Sequence, residues 1–509
     1  MNPFRPLVWL YQLLRHDAFE AVELLVPARG PLRQGYRLAR WLGNSGASSN
    51  ITLGGPRPGR RLARAFQRIG PTFIKLGQIA ATRADLLGEE VARDLSMLHD
   101  QLPASDPAAI RQQLESELDA PLSRLFTHFE SEPISAASVA QVHFAVTPEG
   151  QKVAVKVLRP GVQRDFARDL GPLKFWAGLG QSLVPPLRQL QPRGLVEEFA
   201  KQVQIELDLR LEAASMDEIR DLHRDDRRMV VPKVVWELTT PSVLTMSREF
   251  GIPIDERQQL IDAGLDVAEV LTTAATLFFK GVFQLGVFHG DQHAGNMFIK
   301  PDGRVLFVDF GIVGRIDQRT RFFLADMMRD LLERRYGDLA QRYADQGYLP
   351  PDADVQQFAL ALRALAEPIM GQPLEKVSFA LLLGNLLAMG RRFGLAIEPE
   401  LFLLQKNMLM AEGIARSLDP SLNIWTIAQP LITKWMWDNR GPQAQVTRTL
   451  SQAANMAEKL PELIQRADAT LKDLESQRGR PAISAGTLVW GAIAATLAIA
   501  GGVTLASWL

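Results

Sequence analysis

Residues 287–311 read VFHGDQHAGNMFIKPDGRVLFVDFG and hold the side chains of this chain best suited to chemistry. MFIK and VLFV are short apolar runs separated by Pro301, Asp302, Gly303 and Arg304, which predicts a tight hairpin. A pivot between Asp302 and Gly303 sets Asn296 opposite Asp309. An amide oxygen beside a carboxylate makes a hard-oxygen site suited to Mg²⁺. Asp291 would sit at the mouth of the same site, where it could position or deprotonate a nucleophile. His289 reads as a hydrogen-bonded scaffold ahead of a metal ligand, and His293 receives no role.

Other charged residues need partners. In KVAVKVL (residues 152–158), Val153, Val155 and Val157 share one strand face and leave Ala154 and Lys156 on the other. A lysine amid apolar neighbours either snorkels to water or meets an anion, because a buried unpaired ammonium is costly. The preceding small-residue segment Ser135–Ala136–Ala137–Ser138–Val139–Ala140 resembles the loop that covers nucleotide phosphates in protein kinases, with alanines where kinases have glycines. Residues 195–219 predict one long helix carrying Glu206, Asp208 and Glu212; this is either a solvated acidic face or a cluster relieved by Lys156 and Lys75. From Pro71, a residue suited to a first helical turn, PTFIKLGQIAATRADLL predicts a helix with Lys75, Gln78 and Thr82 on one polar stripe. Gly77 inside it costs about 1 kcal/mol relative to Ala and points to a close approach by another backbone or a ligand.

Composition limits what these groups can belong to. The chain has 509 residues, 47% apolar and 22% charged, enough for a sizeable core and too apolar for wholesale disorder. With no cysteine, disulfide frameworks, thiolate metal sites and cysteine nucleophiles are excluded. The 57 basic residues balance 57 acidic ones, so no global positive field invites nucleic acid. Two local asymmetries remain. Residues 24–84 contain no Asp or Glu but many arginines, and residues 1–68 predict an amphipathic, basic, membrane-proximal segment, with no cleaved signal and a linker near 44–59; the alternative is an ordinary helix packed on the body with solvated arginines. Residues 481–509 carry no charge and are long enough to cross ~30 Å of hydrocarbon as a helix. The alternative is a buried core helix; Arg478 and Arg480 just before the segment would keep the bulk of the protein on the cytoplasmic side.

The ordered set Lys75-Leu-Gly-Gln78, SAASVAQVH, VAVK ending at Lys156, Glu206-Leu-Asp208 with Glu212, His289-Gly-Asp291 with Asn296, and Asp309-Phe-Gly311 resembles the UbiB family over about residues 65–440. These are atypical kinase-like ATPases tied to ubiquinone biosynthesis. The resemblance implies an α+β, bilobal, protein-kinase-like fold with an N-terminal helical extension, to which the C-terminal transmembrane helix is added. The implied domains are an extension at 69–130 that carries Lys75 and Gln78 over the active site, an N-lobe at 131–250, a C-lobe at 251–440, a connecting helix at 441–480 and the span at 482–507.

Residue by residue, the resemblance gives residues 135–140 and Lys156 to the nucleotide, with Lys156 held by Glu212. It sets Glu206 and Asp208 against Lys75, makes Asp291 the catalytic carboxylate, and gives Mg²⁺ to Asn296 and Asp309. ATP and Mg²⁺ are the implied cofactors. The expected partners are membrane lipids, quinone precursors and ubiquinone-biosynthesis enzymes, with homodimerisation left open, and the expected location is the cytoplasmic face of a cell inner membrane. ATP hydrolysis or transfer to a small or lipid acceptor is expected ahead of phosphorylation of other proteins. The alternatives are a nucleotide-gated lipid-binding scaffold and a small-molecule kinase, since HGDxxxxN also occurs in aminoglycoside and choline kinases.

Overall fold

The alternating valines of residues 152–158 do build a strand, and the first layer of the fold forms around it. A computed structural model describes residues 5–18, 57–81, 88–99, 103–183, 188, 191–370, 378–395, 398–419 and 424–440. The connecting helix and transmembrane span expected after residue 440 lie outside the described residues, as do Thr82 and most of residues 1–68. Among the described residues no helix is long and apolar enough to cross a membrane. The chain divides into two compact units, Met1–Ala428 and Gln429–Leu509; the functional residues all fall in the first.

In chain order the strands are β1 (His128–Phe129), β2 (Ser135–Ala136), β3 (Ala140–Val146), β4 (Lys152–Leu158), β5 (Met229–Val230), β6 (Val243–Ser247), β7 (Ile252–Pro253), β8 (Val287–His289), β9 (Met297–Ile299), β10 (Val305–Phe307) and β11 (Val313–Arg315). The first sheet is antiparallel in the order β1-β3-β4-β6, with β2 also on β3. Val153, Val155 and Val157 are buried against Ile110, Leu114, Leu122 and Phe126. That burial fixes register, because a slip of one residue would send Lys156 into this core. Beside β6, Val234 forms an isolated bridge with Met246.

The acidic segment is two helices, Pro192–Glu206 and Leu209–Leu222, and not one. Asp208 explains the break. Its side chain accepts from the Arg210 N–H at 3.1 Å and caps the second helix. The second sheet has the order β5-β10-β9-β7, and β8 pairs with β11. The β9–β10 hairpin differs from expectation by one residue. Lys300 pairs with Arg304 around a turn in which Gly303 takes φ +82°, so Phe307 faces Met297 and Val308 donates to the Asn296 carbonyl at 3.0 Å. The turn holds three residues, Pro301 to Gly303, where the four from Pro301 to Arg304 were expected, and Asp309 falls one place beyond Asn296's partner. Past Arg315 the chain is helical, as expected of a C-lobe, through Gln318–Leu332, Tyr336–Asp345, Val355–Met370, Phe379–Arg392 and Pro399–Leu418.

The extension helix Pro71–Ala81 starts at its proline as predicted. The close approach expected at Gly77 is made by side chains: a Cβ there would meet Leu98 at 2.3 Å and Phe66 at 2.8 Å. Helix Arg5–Arg15 packs Trp9 on Phe73, with ring centroids 4.9 Å apart, and turns Leu7, Leu10 and Tyr11 outward. The buried Asp169 carboxylate accepts from Arg5 Nε at 2.8 Å, Arg5 Nη2 at 3.2 Å and the Thr72 hydroxyl at 3.0 Å, so one anion ties together three helices. Asp169→Asn should therefore loosen helices 5–15 and 71–81 together, at a cost of about 1.5–3 kcal/mol for the lost charged hydrogen bonds. Hydrogen exchange by mass spectrometry checks this; faster exchange confined to one of the two helices would contradict a shared anchor.

Candidate active site

Lys156 sits mid-strand in β4, with Val142 of β3 on one side and Leu244 of β6 on the other. The face it projects from lies opposite the valine core, and the first turn of helix 209–222 covers it with Glu212. Lys156 Nζ lies 2.8 and 2.9 Å from the two Glu212 oxygens and 3.3 Å from Asp309 Oδ1. Lys156 and Glu212 side chains are 13% and 6% exposed, whereas Asp309 is 49% exposed and open to the cleft. The snorkelling alternative for Lys156 is thereby excluded.

The electrostatics follow from two carboxylates sharing one ammonium. Burial opposes the charge on Lys156, but Asp309 and Glu212 outweigh it and raise its pKa well above the ordinary range. Glu212 also moves up, to about 7, because its own burial and the nearby Asp309 exceed what a shared ammonium gives back. Asp309 is held down at about 2: desolvation pushes against ionisation, while Lys156 and the Gly311 N–H favour the anion more strongly. Of the three groups, Glu212 is the one moved toward neutrality, whereas Lys156 and Asp309 are pushed further into their charged forms.

The other acids separate by helix. Glu206, ending its helix, takes the Lys75 ammonium of the extension. Asp208 does not join them. Its oxygens are spent on the cap and on Arg210, at 2.9 and 2.7 Å, so the expected Lys75–Asp208 contact is not made. Gln78 donates to the Leu98 carbonyl at 2.8 Å and accepts from the Ser138 hydroxyl at 3.4 Å. The polar stripe of the extension thus reaches both the acidic cluster and the small-residue loop instead of facing solvent.

That loop is the turn of the β2–β3 hairpin. Ser135 pairs with Val142 and Ala136 with Gln141, while the Ala137 N–H donates to the Ala140 carbonyl at 2.8 Å, leaving Ser138 and Val139 at the tip. Arg159 clamps it, donating through Nε to the Ala137 carbonyl at 2.8 Å and through its backbone N–H to Val139 at 2.7 Å. Ser135, Val142, Lys156 and Leu244 form one row across the sheet, which sets the loop beside the lysine.

His289 is a scaffold, as expected. Nε2 bonds the Val308 carbonyl at 3.0 Å, Nδ1 accepts from the Asp291 N–H at 3.1 Å, and burial lowers its pKa. Both nitrogens are engaged within the protein, which keeps the ring neutral and excludes it as a ligand. Asn296 is buried, and its Nδ2 donates to the Asp291 carbonyl at 3.0 Å, so the amide presents its oxygen as the remaining acceptor. Asp309, at φ +59°, leaves the β-ladder directly after Val308, the residue paired with Asn296. An amide oxygen and an ionised, half-open carboxylate fit Mg²⁺, which takes one or two protein oxygens and completes its shell with phosphate and water.

Two residues that sequence reasoning passed over complete the site. Lys406, on the helix Pro399–Leu418, lies 2.7 Å from Asp291 Oδ1. Its buried neighbour Asn407 donates to the Gly290 carbonyl at 2.8 Å and accepts from the Gln292 N–H at 2.8 Å, gripping the backbone on both sides of Asp291. A signal existed: a Lys–Asn pair interrupts the apolar run LFLLQKNMLM, and a buried amide there requires partners.

With this geometry in hand, comparison with known proteins is informative. The ABC1 atypical kinase-like domain matches residues 97–343, and the UbiB helical domain matches residues 362–423. The curated "Probable protein kinase UbiB" of Marinobacter nauticus is 36% identical over 434 residues, covering 84% of this chain and 79% of that protein. The chain belongs to the UbiB family. The protein of the same name from Azotobacter vinelandii is 36% identical over 418 residues, covering 81% and 77%. A solved complex of Rv3197 with erythromycin from Mycobacterium tuberculosis has a TM-score of 0.48 at 26% identity, covering 70% of this chain and 90% of that one. This chain is accordingly a kinase-like protein of a family associated with ubiquinone biosynthesis, and the UbiB helical domain includes the helix carrying Lys406 and Asn407.

Two outcomes test the site. A Cβ at Gly290 would lie 2.9 Å from the Ile312 carbonyl oxygen and 3.0 Å from Leu403. Gly290→Ala should push the Asp291 loop off helix 399–418 at a cost of about 1–3 kcal/mol, visible as a lowered melting temperature. The second test concerns pH. A carboxyl raised to about 7 stabilises the fold in its protonated form, fully so below its ordinary pKa near 4.5 and no longer once pH has risen through 7. Glu212→Gln should flatten the stability–pH curve over that window; an unchanged slope in denaturant titrations would mean that Glu212 titrates elsewhere.

Proposed function

We propose that this chain is a Mg²⁺-dependent ATPase of the kinase-like type, acting at a membrane in support of ubiquinone biosynthesis. The observation that carries the reading is the convergence of Lys156, Glu212 and Asp309 beside the small-residue loop and the Asp291 loop. Lys156 meets the nucleotide phosphates. Its position is held by Glu212, so little reorganisation is required when the ligand arrives. Asp291, oriented through its backbone by His289 and Asn407, accepts the proton of the nucleophile. Asn296 and Asp309 are the residues that would hold Mg²⁺, which supplies charge neutralisation on the phosphate oxygens. In hydrolysis, the water oxygen bonds to the γ-phosphorus, the bond to the β,γ-bridging oxygen breaks with its electrons remaining on ADP, and the released proton passes to Asp291.

The acceptor is water or a small or lipid molecule. The extension, held by Lys75 on Glu206 and by Gln78 near Ser138, would compete with a folded protein for the cleft. Membrane placement is supported by the charge-free residues 481–509 and by the outward Leu7, Leu10 and Tyr11 of helix 5–15. On this reading the chain lies on the cytoplasmic face of the inner membrane, with quinone precursors and the enzymes that process them as its partners.

Asp309→Asn should abolish the Mg²⁺ dependence of ATP binding, and unchanged Mg²⁺–ATP affinity by calorimetry would refute the metal assignment. Asp291→Asn should keep ATP affinity and lower turnover by roughly 10²–10⁴-fold. ATPase activity indifferent to that substitution would undo the mechanism.

A further inference from the structure

We propose that Lys406 is a catalytic residue: a second nucleotide-phosphate cation, delivered by the helical domain, that moves from Asp291 onto the terminal phosphoryl group when ATP binds. The inference rests on the Mg²⁺–ATP reading and adds a residue and a trigger to it.

Three observations carry it. The first is charge. Lys156 is shared by Glu212 and Asp309, and Lys75 is held by Glu206. A triphosphate adds about four negative charges to a cleft already lined by these acids and Asp291, more than one divalent ion on Asn296 and Asp309 would balance, so its terminal group can take a second cation. The second is position. If Asp291 is to take a proton from the nucleophile, the γ-phosphoryl group lies next to it. An ammonium 2.7 Å from Asp291 Oδ1 is then within reach of that group by a change of side-chain torsion.

The third is how the pair is built. Lys406 and Asp291 side chains are 29% and 25% exposed, and an ion pair open to water is worth only about 0–1 kcal/mol. Letting go of it is therefore cheap. The adjacent Asn407, buried, fixes the backbone at Gly290 and Gln292, so the lysine's base is rigid relative to Asp291 while its compact head remains free to swing. Without nucleotide, Lys406 neutralises Asp291. With ATP bound, it counters the γ-phosphoryl charge, keeps its own proton throughout, and leaves the Asp291 carboxylate free to accept one from the nucleophile.

The test uses the full-length protein and Lys406→Met and Lys406→Arg variants, with Mg²⁺–ATP and Mg²⁺–ADP titrated by calorimetry and turnover measured on the same preparations. Lys406→Met should lose about tenfold or more in ATP affinity, leave ADP affinity within about twofold, and lower kcat by about 10²-fold or more. Lys406→Arg should recover part of the ATP-over-ADP preference, because it restores the charge on a different fork. Equal losses for ATP and ADP would overturn the proposal, since the substitution would then have damaged the cleft as a whole. So would unchanged ATP preference with unchanged turnover, which would leave Lys406 as a surface ion pair. Failure of the unsubstituted protein to bind Mg²⁺–ATP would instead refute the nucleotide reading on which the proposal stands.

Discussion

One ammonium between two carboxylates organises this molecule. Lys156 comes from a sheet strand, Glu212 from a helix following that strand, and Asp309 from a hairpin near the start of the helical lobe. Such a group can be withdrawn from water only if its partners are in place, because the desolvation penalty of a partly satisfied charge exceeds what one weak contact returns. The strand register, the cap that starts helix 209–222 and the left-handed turn at Asp309 are thus parts of one constraint. The unequal exposure of the two acids follows the same logic: the buried one steadies the lysine, and the open one can face a ligand.

The second acid–base pair repeats this logic on a different element. Because Asp208 breaks the acidic segment into two helices, Glu206 and Glu212 serve separate lysines. One belongs to the sheet and one to the extension helix, so the extension is docked by charge at Lys75 and, one turn on, by the amide of Gln78. The helical domain reaches the Asp291 loop in a comparable way. Consecutive residues of one helix hold the backbone and the side chain of Asp291 from more than a hundred residues away in sequence. The cleft is thus assembled from the sheet, the extension helix and the UbiB helical domain.

Local chemistry was legible because it depends on local rules. Alternation placed the valines of β4 in the core and Lys156 opposite them. Pro71 began a helix, and the spacing of His289, Asp291 and Asn296 identified a loop that the backbone bonds of that loop confirm. The hairpin after Asn296 was read one residue out. Whether a turn holds four residues or three depends on the backbone at Gly303, and residue types alone do not distinguish the cases. The single long helix failed for a related reason: Asp208 is compatible with a helix interior and better as a cap, and only packing on both sides chooses.

What the amino-acid sequence determined by itself was the inventory: which groups can carry charge, which face of a strand is apolar, which segments punctuate the chain, and enough ordered motifs to identify the family. The tertiary structure alone decided the pairing. Lys75 could have met Glu206 or Asp208, and nothing near Lys406 or Asn407 along the chain announces Asp291. Charges choose partners by distance and by what else competes for each oxygen, and both are set only after helices far apart in sequence have packed together.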